Sequence, residues 1–349
     1  MTARARTAVL DPLAALDRAR RSVVRASGPL ARWLLVDREA RVAFFGCVGL
    51  VVAFGFALAC PGWAIGVGTV VLGVPHVISD VRYLVVRRGL ARRASLYAGV
   101  LVAVVGTPLG LGLRAAVVGA AIAVVFARAS VARRAGVLLG LAAAFALAWV
   151  YRGLAELAYL HAHNLIALGF FALFARRMRG VAWLPLALFA VLAAFLLGPT
   201  AVPALTWTGA LTRAPAGLDP FTLVSQLAPT VESSWAVRGV AFFAFAQAAH
   251  YVVWLRLVPE LERPSPRPRS FRQTGRALVR ELSPYVVAFF ALGTLVFVVW
   301  GLRDLAGARI AYLQSAFFHG YLELAVLALF AAEGLPAPPR EPGAVPDAA

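Results

Sequence analysis

Residues 42–60, VAFFGCVGLVVAFGFALAC, run the length of a membrane-crossing helix without a charged side chain. A helix rises about 1.5 Å per residue, and a hydrocarbon core about 30 Å thick needs roughly 20 mainly apolar residues. Working outward, the same test picks out 63–86, 94–107, 109–127, 135–150, 153–175, 181–198, 235–257, 284–301 and 309–332. The pair 94–107 and 109–127 is the weakest, being short and separated mainly by Thr107 and Pro108. The whole chain of 349 residues agrees: 61% is hydrophobic, 14% is charged, and the mean hydropathy is +0.81. Soluble domains carry about 25% charged residues, which excludes a cytosolic enzyme, a disordered chain and a disulfide-stapled secreted module. The expected fold is all-α, a polytopic transmembrane helix bundle whose first partner is the lipid bilayer.

The formal charge of +18 comes entirely from arginine, since the chain has no lysine. Its arginines cluster at Arg4–Arg41, Arg87–Arg93, Arg128–Arg134, Arg176–Arg179 and Arg256–Arg280, between the apolar runs. The positive-inside bias accounts for that placement, and no nucleic-acid partner is needed. Clusters on one face require an even number of crossings between them. Ten spans in five hairpins meet this demand, with the N- and C-termini cytoplasmic. Cys47 and Cys60 share one span about 20 Å apart, beyond disulfide reach.

Residues 1–41 read as a basic cytoplasmic segment. Asp11-Pro12 marks a helix start, and Leu13, Leu16, Val23 and Val24 form an apolar stripe for the inner leaflet. Residues 42–332 form the transmembrane domain, with an outer connection at 199–234 that contains Trp207 and a helix start at Asp219-Pro220. Residues 333–349 read as a Pro- and Ala-rich disordered tail. The chain contains no Walker loop, GxGxxG fingerprint or GxSxG elbow.

All five histidines, His76, His161, His163, His250 and His319, fall inside apolar spans and none in a loop. Their carriers are the second, sixth, eighth and tenth spans, which run parallel in this topology. Counting to the inner arginines puts His76 near 16 Å, His163 near 20 Å and His250 near 9 Å, with His319 about 21 Å from Glu333. Three carboxylates also lie inside spans. His76 and Asp80 are spaced i, i+4, as are His319 and Glu323, while Glu156 and His163 are spaced i, i+7, so each pair shares a helical face. Ionisable groups in a span must pair, coordinate or face water. Neutral imidazoles with supporting carboxylates suit a borderline metal. Residues two apart point about 200° away from each other, so only one of His161 and His163 faces a common centre; Glu156 favours His163. The plain alternative is that each histidine joins two helices by a hydrogen bond.

The segment Gly73-Val-Pro-His76-Val-Ile-Ser-Asp80 resembles the Gly-x-Pro-His-Gly-x-x-Asp motif of the bacterial Brp/Blh family, polytopic membrane proteins that include β-carotene 15,15′-dioxygenases. The resemblance covers about eight residues, with Val77 at the motif's second glycine. It implies a histidine-ligated non-haem iron, an apolar polyene substrate, a bacterial cell membrane, and His76 as a ligand supported by Asp80. The family's later His-x-x-x-His pair has only Phe245-Ala-Gln-Ala-Ala-His250-Tyr as a counterpart, so His319 would supply the missing ligand.

These readings converge on an oxygenase or hydroxylase that uses Fe2+ and a lipophilic substrate delivered from the bilayer. The metal ligands come from His76, His161, His163, His250 and His319, and Asp80, Glu156 and Glu323 support them or join them. Two other classes fit the same residues: a proton-coupled transporter using the intramembrane His, Asp and Glu, and a bis-His haem protein.

Overall fold

Where no water reaches the backbone, a chain satisfies its N–H and C=O groups within each segment, and helices do this for a single span. The computed structural model describes residues 12–335 except 179, 230, 264 and 266, and every regular element in it is helical. In chain order these are α1 (Pro12–Ala26), α2 (Gly28–Val36), α3 (Arg38–Ala59), α4 (Pro61–Val86), α5 (Ala94–Gly106), α6 (Gly112–Val125), α7 (Val131–Val150) and α8 (Arg152–Ala175). They continue as α9 (Gly180–Leu197), α10 (Ala201–Trp207), α11 (Pro220–Leu227), α12 (Ser233–Leu261), α13 (Phe271–Leu282), α14 (Pro284–Gly301) and α15 (Leu305–Glu333). The sequence expectations for residues 1–11 and 336–349 lie outside the described residues.

Eight helices, α3, α4, α7, α8, α9, α12, α14 and α15, are long and apolar enough to cross a membrane. The chain is therefore a multi-pass membrane protein. Its surface says the same: on α14, Phe289, Leu292 and Leu295 are 72%, 60% and 57% exposed, and no residue of that helix is buried. Such a face is tolerable in lipid and would aggregate in water. The weak pair is shorter than expected. α5 and α6 reach about 20 Å each, because the chain turns through Thr107–Leu111 with Gly110 at φ +75° and Gly112 at φ +41°. They cross so closely that a Cβ on Gly99 or Gly119 would strike the other's carbonyl.

The connection between α9 and α12 folds over one end of the bundle. Asp219 caps α11 by accepting from the amides of Phe221 and Thr222, and Leu205, Leu218, Leu223 and Leu227 are buried against α3, α9 and α12. Trp207 stays 88% exposed at the edge of this cap.

The opposite end gathers the arginines. Glu260, fully buried, meets Arg41 at 2.9 Å, Arg263 at 3.1 Å and Arg256 at 3.3 Å. This neutralisation lets α12 run on to Leu261, past the span end at 257 expected from the apolar run. Arg88 meets Glu262 and Arg93 meets Glu333, which brings together the C-terminal ends of α4, α12 and α15. The guanidinium of Arg88 also lies 4.7 Å from the Phe174 ring near the end of α8. The four histidine-bearing helices thus run in one direction.

The basic stretch before residue 284 contains an amphipathic helix the sequence reading did not separate. α13 begins with a capping box, Ser270 and Gln273 each satisfying the other's backbone N–H. Asp17 of α1 accepts from the amides of Phe271 and Arg272, and Arg20 donates to the Arg269 carbonyl, so α1 lies against α13. Glu281 at its far end takes hydrogen bonds from both Arg82 and Arg87.

Candidate metal centre

The helices that carry the histidines are locally irregular where it counts. In α4 the backbone is wound as π-helix at Gly68–Leu72 and again at Val81–Val86, with an α-helical stretch Gly73–Asp80 between them. Pro75 lacks the amide that Val71 would need, and the π turn sits just before it. A third such turn, Val253–Leu257, follows His250 in α12. In α15 the helix breaks at Phe317, and the carbonyl of Ala316 accepts from Nδ1 of His319. Gly73 makes room for Tyr312, whose ring lies 2.6 Å from where a Cβ would sit.

These irregularities bring four imidazoles together. Nε2 of His319 lies 3.2 Å from Nε2 of His76 and 3.1 Å from Nε2 of His163. The His250 ring completes the set, 4.9 Å from the His76 ring and 4.8 Å from the His163 ring, centre to centre. One ligand atom from each of His76, His250 and His319 lies within 4.8 Å of the others, and all three residues are buried. With α12 ending at Leu261, the four histidines stand about 15–21 Å from their helix ends, a tighter slab than counting from His250 to Arg256 implies.

The tautomers decide what this cluster can do. His76 turns Nδ1 to the Leu72 carbonyl at 3.3 Å, and His319 turns Nδ1 to Ala316. A carbonyl only accepts, so Nδ1 carries the proton in both rings. His163 Nδ1 lies 3.0 Å from the Glu323 carboxylate, which draws the proton to that nitrogen too. The Nε2 lone pair of His319 therefore faces those of His76 and His163, at 3.2 and 3.1 Å, with no proton between them. Two nitrogens each about 2.0–2.1 Å from one ion, at octahedral to tetrahedral angles, stand about 2.8–3.4 Å apart. The observed spacing fits neighbouring ligands of one cation.

Charge makes the same demand. Asp80 and Glu323 are fully buried, and apart from the 3.0 Å contact of Glu323 Oε2 with His163 Nδ1 none of their four oxygens has a hydrogen-bond partner among the described residues. Both nitrogens of His250 are also unpartnered. Asp80 Oδ2 lies 3.9 Å from His76 Nε2. Two buried carboxylates and unpartnered nitrogens cost several kcal/mol if left so. A divalent cation matches both carboxylate charges and gives the lone pairs a common acceptor.

Two expected site residues stand elsewhere. His161 turns away on α8, with Nε2 2.9 Å from the Leu227 carbonyl and its ring edge-on to Phe243. The 200° separation from His163 excludes it from the centre. Glu156 does not reach His163, about two turns along the helix; its Oε1 accepts from the Leu113 amide at 2.6 Å and caps α6. Glu323 reaches across to His163 rather than to His319 on its own helix. Haem is a poor fit, because axial nitrogens on opposite sides of one iron stand about 4 Å apart with the macrocycle between them.

Other neighbours carried little sequence signal. Gln247 donates to Thr69 Oγ1 at 2.7 Å and to the Tyr251 hydroxyl at 3.0 Å, and the Tyr251 ring lies 5.0 Å from that of His76. Tyr159 donates to the Gly320 carbonyl at 2.5 Å, and Gly320 leaves space for His163. The sequence signal open to a reader is the spacing of Gln247, Tyr251 and Trp254, i, i+4 and i+7 on one helical face around His250. The chain matches no family model, and neither a curated protein nor a solved structure matches it.

Proposed function

We propose that this chain is a membrane-embedded metalloenzyme that oxidises a lipophilic substrate at a histidine-ligated, non-haem metal. Iron is the metal that the Brp/Blh resemblance implies, with a carotenoid-like polyene as the substrate class. The observation that carries the reading is the Nε2 of His319 facing those of His76 and His163 at 3.2 and 3.1 Å, beside two fully buried carboxylates with no arginine partner among the described residues.

In this reading His76, His163 and His319 hold the metal through Nε2, and His250 is the fourth ring available to it. A divalent iron held by imidazoles supplies redox chemistry and open positions for dioxygen when bound. The protein's own part is positional. Leu72 and Ala316 fix two rings through their carbonyls, and Glu323 fixes the third through its charge. Asp80 balances charge beside His76. The aromatic and aliphatic packing around Trp254, Phe170 and Val326 keeps water from the centre. We place the arginine face in the cytoplasm and count α5 and α6 as the remaining pair of the ten crossings, in a bacterial inner membrane.

Metal analysis of the purified protein tests this. About one iron per chain is expected, without a Soret band, together with its loss in His76→Ala and His319→Ala variants that still elute as monodisperse protein. Full metal retention in both variants, or metal-free wild-type protein after expression in iron-replete medium, would overturn it. Incubation with β-carotene and oxygen, read by mass spectrometry for cleaved or hydroxylated products, tests the substrate class.

A further inference from the structure

The arginine groups at the end of the bundle differ in one respect. Arg41, Arg256 and Arg263 close around Glu260, and Arg82 and Arg87 close around Glu281. The third group instead lines a polar cavity of about 570 Å3, walled by Arg88, Arg92, Arg93 and Arg128 with Gly89 and Glu333. Its two carboxylate partners are already engaged: Glu262 by Arg88 at 2.5 Å, and Glu333 by the fork of Arg93 at 2.5 and 2.7 Å. Four guanidinium groups against two carboxylates leave two positive charges in the cavity. Arg177 adds its charge beside Arg88, and Arg92 has no carboxylate partner among the described residues.

One wall already holds an anion. The Glu333 carboxylate sits between the Arg93 fork and the backbone amide of Arg128, which donates to it at 2.6 Å. Arg92 and Arg128 are both exposed, so a second anion can reach them. Beside the cavity the surface turns apolar. Val125, Phe126 and Val131 flank Arg128 in sequence and are 46%, 68% and 73% exposed. Charged walls with an adjoining apolar face suit a molecule that has both an anionic head and hydrocarbon chains.

We propose that this cavity binds the phosphate of an anionic phospholipid, with the headgroup between Arg92 and Arg128 and the acyl chains along Phe126 and Val131. Basic pockets at the ends of membrane helices recognise lipid phosphates by charge and by arginine's forked donors. A free phosphate ion shares that chemistry and leaves the apolar face bare, so the two sources are separable. The inference does not depend on the metal centre.

The test uses the full chain purified in neutral detergent, with native mass spectrometry of adducts formed with short-chain phosphatidylglycerol, short-chain phosphatidylcholine or inorganic phosphate. Phosphatidylglycerol is expected to bind at least tenfold more tightly than phosphatidylcholine. The double variant Arg92→Gln/Arg128→Gln is expected to weaken it about thirtyfold, from two surface charges near the headgroup. A control, Arg276→Gln/Arg280→Gln on α13, removes the same charge elsewhere and is expected to leave binding within twofold. Equal binding of the two lipids, equal loss in both double variants, or binding of inorganic phosphate as tight as that of the lipid would each overturn the proposal. Retained elution volume and thermal midpoint in the variants show that the fold is intact.

Discussion

Glu323→Gln tests the link between a buried carboxylate and the metal it does not itself need to touch. Glu323 is fully buried, with Oε2 3.0 Å from Nδ1 of His163, whose Nε2 faces the centre. The path through the ring puts the carboxylate about 6 Å from a bound ion. At an effective dielectric of about 20, that separation gives a gross attraction of about 5 kcal/mol for a divalent cation. Glutamine keeps the shape and an acceptor oxygen, and it is cheaper to bury. The net loss is therefore set at about 1.4–2.7 kcal/mol, a 10- to 100-fold weaker metal affinity, as for other carboxylates behind a ligating histidine. Competition against a chromophoric chelator in detergent measures it. The geometry adds a sharper requirement: in a His163→Ala background, Glu323→Gln should cost much less, because the effect runs through that ring. An unchanged affinity in the single variant, or full additivity in the double, would refute the coupling.

The excluded residues give a matched control: His161→Ala and Glu156→Gln should keep full metal content by elemental analysis, and metal loss in either would put that residue back in the centre. At the arginine face, burial pushes the Glu281 carboxyl up, but the hydrogen bonds and charges of Arg82 and Arg87 outweigh it and hold the pKa at about 2, against an ordinary 4.5. Stability from this lowered pKa is present above the ordinary value and is lost as pH falls from about 5 toward 2, so hydrogen exchange in α13, corrected for intrinsic rate, should rise across that range. Glu281→Gln should show the same loosening at pH 7, and unchanged protection would contradict the assignment. Gly119→Ala drives a methyl into the Gly99 carbonyl and should lower stability by about 1–3 kcal/mol, read as a drop in thermal midpoint in detergent. No drop would mean that α5 and α6 do not pack this closely in solution.

Much of this architecture is readable from the chain because lipid imposes a strict rule on backbone polarity. The apolar runs became helices with ends within a few residues of those expected, apart from places where tertiary charge pairing intervened. Arg256 reads as the end of a span, but Glu260 is neutralised by Arg256 and Arg263 beside it and by Arg41 of α3, and that last partner lies in no local window. The amphipathic helix α13 was hidden in a basic stretch, although Ser270 and Gln273 spelled out its cap.

At the site, residue type and depth were legible while helix rotation was not. Four histidines in parallel helices could be counted to a common level, but which carboxylate meets which ring depends on how α8 and α15 turn against each other. Glu323 and His319 share a face by spacing, yet Glu323 meets His163 on α8. Glu156 shares a face with His163 and yet serves α6, because a face extends over two turns and a contact over one. The π turns around His76 and after His250 leave no periodic signature, and they aim both rings.

X-ray absorption at the metal edge of the purified, metal-replete protein tests the central claim most directly. Three or four imidazole nitrogens at about 2.0–2.2 Å, with the multiple-scattering pattern of histidine rings, are expected around a single metal. One ring must disappear from that shell in His319→Ala. A shell of oxygen ligands alone, or one that keeps its imidazole count in that variant, would contradict the account.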